Sequence, residues 1–217
     1  MLSYWYQKNI SMDPRLVHPF TCIISGPTGS GKTQFVLKLL KNKLELITPP
    51  PQKIFWFYGE WQDVYRQPEL KQVQFIEGLP KEDLFQPSNN NLIIIDDLLA
   101  ETDARVTKLF TKGSHHRNCS VIFITQNLFD KNKEMRTINL NAHYMVLFKS
   151  PRDVSQIQHL AKQMYPRESD YMREAFADAT SKPFSYLLVD LKPNTPEEMR
   201  LRANIFPGEL QVVYIKR

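Results

Sequence analysis

Short apolar runs alternate with segments of helical apolar spacing along most of this chain. A continuous apolar run is typical of a strand covered on both faces of a sheet, whereas apolar residues three and four positions apart indicate a helix. The runs predict strands at residues 20–25, 53–58, 92–97, 120–124 and 143–148, a shorter strand at 72–76, and late strands at 184–189, 202–206 and 210–215. The spacing predicts helices at residues 34–40, 101–112 and 153–164, and a helical turn at 80–85. Strands that alternate with helices imply an α/β fold with a mainly parallel central sheet flanked by helices.

A glycine-rich segment stands between the first predicted strand and the first predicted helix, where it forms a complete phosphate-binding loop. The glycines allow backbone N–H groups to turn toward phosphate oxygens, and the following helix adds the partial positive charge of its N-terminus. In this pattern Lys32 reaches the β- and γ-phosphates, and the Thr33 hydroxyl ligates Mg²⁺. ATP with Mg²⁺ is therefore the expected ligand. The predicted binding residues are Gly26, Pro27, Thr28, Gly29, Ser30, Gly31, Lys32 and Thr33.

Two adjacent carboxylates end one of the most apolar of the predicted strands. Asp96 follows the four apolar residues 92–95 and is therefore fixed at the tip of a buried strand. From there it can hold the water shell of Mg²⁺ opposite Thr33. Asp97 beside it can orient and deprotonate the water that attacks the γ-phosphate, or it can cap the helix that follows.

A further polar residue, Gln126, follows the strand predicted at 120–124. Its amide can hydrogen-bond the γ-phosphate or the attacking water, although a simple turn residue is the other interpretation. About thirty residues separate Asp96 from Gln126, which is enough for one crossover helix and one strand. The loop, Asp96 and Gln126 are expected to meet at the carboxyl edge of the sheet. This matches the additional-strand, catalytic-acid class of P-loop NTPases, in which a strand lies between the phosphate-loop strand and the acidic strand.

Two other classes of phosphate-loop protein match less well. GTP-binding switch proteins carry a glycine shortly after the acidic strand and an Asn-Lys-x-Asp tract that reads the base. Here residues 98–100 contain no glycine, and residues 132–135 read Asn-Lys-Glu-Met, without the aspartate. Small nucleotide kinases usually carry an arginine-rich lid and no paired acids, but the residues alone leave a kinase open as an alternative.

Composition and charge indicate the cellular compartment of the protein and the kind of partner that it binds. A chain of 217 residues fits a single P-loop ATPase domain at 1–217, with a core at about 20–165 and an elaboration at about 166–217. No run approaches the ~18 apolar residues of a membrane span, and no signal peptide opens the chain. The isolated Cys22 and Cys119 favour a reducing, intracellular compartment. The net charge of +5 suits a polyanionic partner such as nucleic acid.

Four segments together resemble the genome-packaging ATPases of double-jelly-roll DNA viruses. They are the phosphate loop, the acidic strand, the block His-His-Arg-Asn-Cys-Ser-Val-Ile-Phe-Ile-Thr-Gln-Asn-Leu-Phe at 115–129, and residues 147–153 with Gln156 and Ile157. These ATPases form the poxvirus-type branch of the FtsK/HerA superfamily, and the variant here most resembles those of polinton-like elements, adintoviruses and virophages. The likeness covers about residues 20–165. The acidic strand ends Asp-Asp, where many cellular relatives have Asp-Glu.

The resemblance implies a homo-oligomeric ring, a pentamer or hexamer, that pumps double-stranded DNA into a preformed capsid. A capsid vertex protein would be a further partner, and the chain would act at sites of virion assembly in the host cytoplasm or nucleus. Nucleotide would bind between subunits, and an arginine from the neighbour would complete the site, which raises turnover about 10³–10⁵-fold in other NTPases. Arg117 and Arg152 are the candidates, with Arg105 and Arg136 as weaker ones.

Each of these arginines can also be a solvated surface charge. His115 and His116 have no accompanying ligands and are expected at an interface or at the surface. DNA contact is expected from residues 59–66, whose aromatics look exposed, and from residues 131–136, because lysines and arginines there would bind phosphates without reading bases. Both segments can equally be ordinary surface loops. A cellular or plasmid pump of the same superfamily, and an assembly factor that binds ATP with little turnover, stay open as alternatives.

Overall fold

The structure is a computed structural model that describes residues 13–81, 88–96, 98, 103–113, 118–130 and 133–216. The strands in these ranges are β1 (Leu16–Val17), β2 (Thr21–Ser25), β3 (Ile47–Thr48), β4 (Lys53–Tyr58), β5 (Val73–Glu77), β6 (Asn91–Asp96), β7 (Cys119–Thr125), β8 (Tyr144–Phe148), β9 (Tyr186–Asp190), β10 (Leu201–Ala203) and β11 (Val212–Tyr214). The α-helices are α1 (Lys32–Lys41), α2 (Lys43–Leu46), α3 (Ala104–Lys108), α4 (Lys133–Leu140), α5 (Ser155–Met164) and α6 (Ser169–Ala179).

Nine of these strands form one sheet in the order β11–β10–β9–β8–β2–β7–β6–β4–β5. All neighbours from β8 to β5 are parallel, whereas β9, β10 and β11 add an antiparallel extension. Strand β7 lies between β2, which leads into the phosphate loop, and β6, which ends at Asp96. The predicted mainly parallel sheet and the additional strand are thereby confirmed.

The sheet has a hydrophobic core on each face, which explains the continuous apolar runs in the sequence. Ile23 of β2 and Ile95 of β6 belong to one core cluster, and their neighbours Ile24 and Ile94 belong to the other. Successive side chains of a strand point to opposite faces, so a strand covered by helices on both sides needs apolar residues throughout. Burying each of these side chains contributes about 1.5–3 kcal/mol.

Besides the single-turn α2, two helices were absent from the sequence prediction. Helix α6 buries Met172, Ala175 and Ala179, which form a narrow stripe of mostly small side chains, and its larger Tyr171 and Phe176 are only partly buried. Helix α4 buries only Met135 and Ile138 and includes part of the segment expected as a loop. In both helices the apolar face is too sparse to stand out from a surface segment.

The other predicted elements differ from the structure mainly at their ends. Of the helix expected at 101–112, residues 101 and 102 lie outside the described ranges, and α3 is followed by a single π-helical stretch, Leu109–Gly113. The helical turn expected at 80–85 also lies largely outside them. Among the described helices, none is both long and apolar enough to cross a lipid bilayer.

Candidate nucleotide-binding site

The phosphate loop owes its shape to glycines at three positions. Gly29 and Gly31 have φ angles of +75° and +106°, a left-handed conformation that other residues rarely adopt. Gly26 is required for a different reason, because a Cβ there would lie 2.6 Å from the Cβ of Phe148 and 2.8 Å from the Oγ of Ser30. The loop is therefore closely packed against the tip of β8 before it enters α1.

Two polar side chains of the loop point to an anionic ligand. The Nζ of Lys32 donates to the carbonyl oxygens of Gly26 at 2.6 Å and Pro27 at 2.9 Å, so the ammonium lies against the loop itself. The Oγ of Ser30 is buried and has no hydrogen-bond partner among the described residues. A buried hydroxyl left in this way costs about 1–3 kcal/mol. A phosphate oxygen is an acceptor that would satisfy this hydroxyl, so the loop fits a nucleotide phosphate.

Asp96 is held at the end of β6 by Tyr65, a residue of the segment from which the sequence predicts DNA contact. Its side chain is buried, and the hydroxyl of Tyr65 donates to its Oδ2 at 3.0 Å. Tyr65 belongs to a 3-10 turn, Asp63–Arg66, in the connection from β4 to β5. The hydrogen bond fixes one carboxylate oxygen of Asp96 at the tip of the strand.

The prediction that residues 59–66 expose their aromatics is correct for Trp61 and wrong for Tyr65. Trp61 is 47% exposed, but Tyr65 is only 3% exposed. The ring of Tyr65 packs against Trp56 at 5.3 Å, Trp61 at 5.4 Å and Phe75 at 5.0 Å between ring centroids. The 3-10 turn brings this ring back over the sheet, where it has apolar cover and its hydroxyl has a carboxylate acceptor.

One cavity of about 270 Å³ unites the polar residues that the sequence places at the carboxyl edge of the sheet. Its described lining is Thr28, Gly29, Gly31, Lys32, Thr33, Gln34, Gln62, Asp96, Ile124, Thr125, Gln126 and Phe184. The loop, the acidic strand and the tip of β7 therefore meet as expected. Gln62 and Phe184 are two lining residues that the sequence did not indicate, because neither belongs to a recognisable motif.

The turn that carries Gln126 is tied to the start of α5. Gln126 itself is exposed, and two residues later the backbone N–H of Leu128 donates to Oε1 of Gln156 at 3.0 Å. The Nε2 of Gln156 in turn donates to Oδ2 of Asp153 at 2.7 Å. Hydrogen bonds from Ser155 and Gln156 hold the pKa of Asp153 below its usual value. A shift of Gln126 would therefore be transmitted to the segment that follows β8.

Several predicted site residues lie outside the described ranges. They are Asp97, Arg117, His115 and His116, so their roles stay predictions. Arg152 is exposed in the turn between β8 and α5, and Arg136 is exposed on α4. Arg105 forms an ion pair with Asp103 at 2.8 Å, which occupies its guanidinium within the chain.

The segment at 131–136 differs from its prediction in part. Residues 131 and 132 are not described, and residues 133–136 form the start of α4 rather than a loop. A basic side chain there is carried on a helix, which restricts how far it can move toward a DNA backbone.

Comparison with known proteins agrees with this architecture. No protein-family model matches the chain. It is 36% identical over 83 residues to Packaging protein 1 of Snake adenovirus serotype 1, a match that covers 35% of this chain and only 18% of that protein. The chain therefore corresponds to less than a fifth of the length of this relative.

Two solved structures are also similar. One is the genome packaging NTPase B204 from Sulfolobus turreted icosahedral virus 2 in complex with ATP-γS, with a TM-score of 0.51, 12% identity, and coverage of 85% of this chain and 96% of that one. The other is the Legionella pneumophila ATPase DotB, with a TM-score of 0.37, 12% identity, and coverage of 73% and 52%, which is too distant to support an argument. At such identity the first likeness shows the fold alone. The fold is that of a P-loop NTPase.

Proposed function

We propose that this chain is an ATP-driven translocase of double-stranded DNA that packages a viral genome into a preformed capsid. The observation that carries the ATPase part is the single cavity lined by Lys32, Thr33, Asp96 and Gln126. The viral packaging part is supported by the identity shared with the adenovirus Packaging protein 1 over 83 residues. Membership of the poxvirus-type branch of the FtsK/HerA superfamily belongs to the same proposal.

Each residue of the cavity has a role that its position allows. The ammonium of Lys32 would exchange the carbonyl oxygens of Gly26 and Pro27 for phosphate oxygens, which are stronger acceptors because they are charged. Thr33 and Asp96 would hold Mg²⁺, Asp96 through bound water, and the metal would neutralise charge on the β- and γ-phosphates. The Ser30 hydroxyl would donate to a phosphate oxygen.

Hydrolysis further requires a base and a residue that senses the γ-phosphate. Asp97 follows Asp96 directly and would deprotonate the attacking water. Gln126 would orient that water or bind the γ-phosphate, and its loss would move the turn tied to Gln156. Arg117 or Arg152 of a neighbouring subunit would stabilise the transition-state charge.

Translocation further requires that the subunits form a ring and that the ring binds the DNA backbone. Five or six copies would assemble so that one subunit supplies its arginine to the nucleotide of the next. The net charge of +5 favours binding to the DNA backbone, and contacts to phosphates rather than bases suit a motor that must pass over any sequence. A capsid vertex protein would anchor the ring during virion assembly in the host cell.

Steady-state ATP hydrolysis with and without double-stranded DNA, measured over a range of protein concentrations, tests the proposal. Turnover should rise with DNA and with protein concentration, and the stimulation by DNA should weaken steeply as salt is added. Lys32→Ala is the control for contaminating ATPases. Displacement of a third strand from a DNA triplex, driven by ATP, would report translocation itself.

Three outcomes would contradict the proposal in different ways. Hydrolysis that is indifferent to both DNA and protein concentration would indicate a self-contained phosphotransferase such as a nucleotide kinase. ATP binding with almost no turnover under any condition would indicate a nucleotide-gated assembly factor. Stimulated hydrolysis without triplex displacement would leave an ATPase that binds DNA and does not move along it.

A further inference from the structure

An exposed aromatic side chain stands beside the phosphate loop in a strained backbone conformation. Phe184 is 71% exposed, and its φ angle is +63°. A non-glycine residue with a positive φ is uncommon and costs strain, which is tolerated where the surrounding structure holds it for a purpose. A large apolar ring that is both exposed and strained contributes little to the stability of the fold. Contact with a ligand or a partner would explain its position.

The position of Phe184 is fixed by the turn between α6 and β9. The hydroxyl of Ser185 donates to the carbonyl oxygen of Lys182 at 2.6 Å, which closes the turn around it. A Cβ placed on Gly31 would lie 3.4 Å from the Cβ of Phe184, so the phenylalanine lies directly beside the last glycine of the phosphate loop. Phe184 is thus part of the nucleotide site and not a remote surface residue.

The order of the strands indicates which part of a nucleotide Phe184 would meet. Asp96 and Gln126 lie at the tips of β6 and β7, on one side of β2, and mark the γ-phosphate end. The sugar and base must then leave the loop on the other side of β2, where β8 and β9 lie. Because β8 and β9 are antiparallel, the turn before β9 stands at the same sheet edge as the end of β8.

Phe184 connects the phosphate cavity with a second cavity on that side, of about 390 Å³. This second cavity begins at Gly29 and Ser30 and continues past Phe148 and Lys149 to the turn of Phe184. We propose that Phe184 is the stacking platform for the base of the bound nucleoside triphosphate. The inference rests on the nucleotide site proposed above and assigns the part of that site which no motif identifies.

The lining of the second cavity also indicates how the base is read. Among its described lining residues none carries a carboxylate, whereas Lys149 and Lys182 are cationic. Guanine offers N–H donors on its base-pairing edge, and a carboxylate is the usual acceptor for such donors. The described lining therefore offers no carboxylate that would favour guanine, and stacking on an aromatic side chain tolerates different bases. Adenine and guanine nucleotides should depend on Phe184 to the same extent.

Equilibrium binding of ATP, GTP and inorganic tripolyphosphate, each with Mg²⁺, tests the platform. Phe184→Ala and Phe184→Asn should weaken ATP and GTP about tenfold, or about 1.4 kcal/mol, and leave tripolyphosphate unchanged. Asparagine accepts a positive φ more readily than alanine, so it separates loss of the ring from a change in backbone strain. Phe184→Tyr keeps the ring and should bind all three ligands as the unaltered chain does.

Leu140→Ala is the matched control, because Leu140 is 77% exposed at the end of α4, just before β8 enters the sheet from its opposite edge. It should change none of the three affinities. Unchanged ATP affinity in Phe184→Asn would overturn the platform, and so would an equal loss of tripolyphosphate binding, which would make the ring a support of the loop. A loss of ATP affinity that appears only together with a loss of subunit assembly would assign Phe184 to an interface instead. If the unaltered chain bound neither ATP nor tripolyphosphate, the proposed function would fail and the platform with it.

Discussion

The two sides of the phosphate-loop strand β2 differ in chemistry. On the side of β7, β6 and β4, buried polar groups are aimed at the cavity, and the hydroxyl of Tyr65 is bonded to Asp96 at 3.0 Å. On the side of β8 and β9, aromatic rings pack directly against the helix that follows the loop. There Phe35 of α1 lies 6.3 Å from Phe148, 4.7 Å from Tyr186 and 5.2 Å from Phe206 between ring centroids.

This difference indicates that the two sides of the site have different roles. In the proposed function the polar side would hold Mg²⁺, water and the γ-phosphate, because strand tips there carry carboxylates and an amide. The aromatic side fixes α1 and the loop, since Gly26 has no room for a Cβ against Phe148. Changes on the polar side should therefore alter turnover, and changes at the loop or on the aromatic side should alter binding.

The largest expected effect tests the polar side at Asp97. Asp97→Asn should lower turnover by about 10²–10⁴-fold, because it removes the proposed general base, while ATP affinity stays within a few-fold of the original. Turnover and equilibrium ATP binding are measured on the same preparation. Asp97→Glu, which keeps the carboxylate one methylene further out, is the control and should retain part of the activity. Full turnover in Asp97→Asn would reduce Asp97 to a helix cap.

The next largest effect is on the loop, where both sides meet. Lys32→Ala would remove the proposed charge-assisted hydrogen bonds to phosphate, so affinity should fall about 10–100-fold. ATP and tripolyphosphate should be weakened alike, in contrast to the selective loss expected for the Phe184 variants. Calorimetric titration of both ligands measures the two losses. Weakening of ATP alone would mean that Lys32 does not contact the phosphates.

Tyr65→Phe should have a smaller effect, since the ring and its packing remain. Loss of the hydroxyl removes one hydrogen bond to Asp96, worth about 0.5–1.5 kcal/mol, which allows the carboxylate to rotate and should lower turnover several-fold. The matched control is Tyr58→Phe, because Tyr58 belongs to the same aromatic cluster, 5.7 Å from Tyr65 between ring centroids. Steady-state kinetics compare the two. Equal turnover in both variants would exclude a positioning role for the Tyr65 hydroxyl.

The parts of this molecule that were predictable from sequence are those determined by local pattern. The phosphate loop and the buried strand ending at Asp96 each carry their signal within about ten residues, and their meeting follows from parallel strand geometry. The distance from Asp96 to Gln126 was enough to predict an additional strand, and β7 occupies that place.

Side-chain positions that depend on the path of a turn were not predictable from the sequence. Tyr65 looks like one more aromatic in a polar connection, and only the 3-10 turn reveals that its hydroxyl reaches Asp96. Phe184 was assigned to a strand at 184–189, but the strand begins at Tyr186 and Phe184 lies in the preceding turn. Apolar pattern cannot distinguish a ring that enters a sheet from one held beside it by a left-handed backbone.

The smallest expected effect is at His18, which lies away from both sides of the site. It concerns the stability of the fold and not ATP binding or hydrolysis. His18 is buried just before β2, at the edge of the sheet opposite the phosphate loop. Its Nδ1 lies 2.5 Å from the Oγ of Ser120 and its Nε2 lies 3.0 Å from Oδ1 of Asn118. Since that amide oxygen can only accept, the neutral Nε2–H tautomer fits these partners. Burial lowers the pKa of His18 below its usual value, against a smaller opposing contribution from Asn118.

As the pH falls through about 6.5, the unfolded chain binds a proton at this histidine before the folded chain does, so stability decreases. The loss amounts to about 1.4 kcal/mol for each unit by which the two pKa values differ. Thermal unfolding between pH 7.5 and 5.5 should therefore show a smaller decline in Tm for His18→Gln than for the unaltered chain. ATP affinity at pH 7.5 should be the same in both, because the site lies at the other edge of the sheet. Parallel pH profiles of Tm would show that His18 is protonated equally in the folded and unfolded chains, and an altered ATP affinity would show that the two edges of the sheet are coupled.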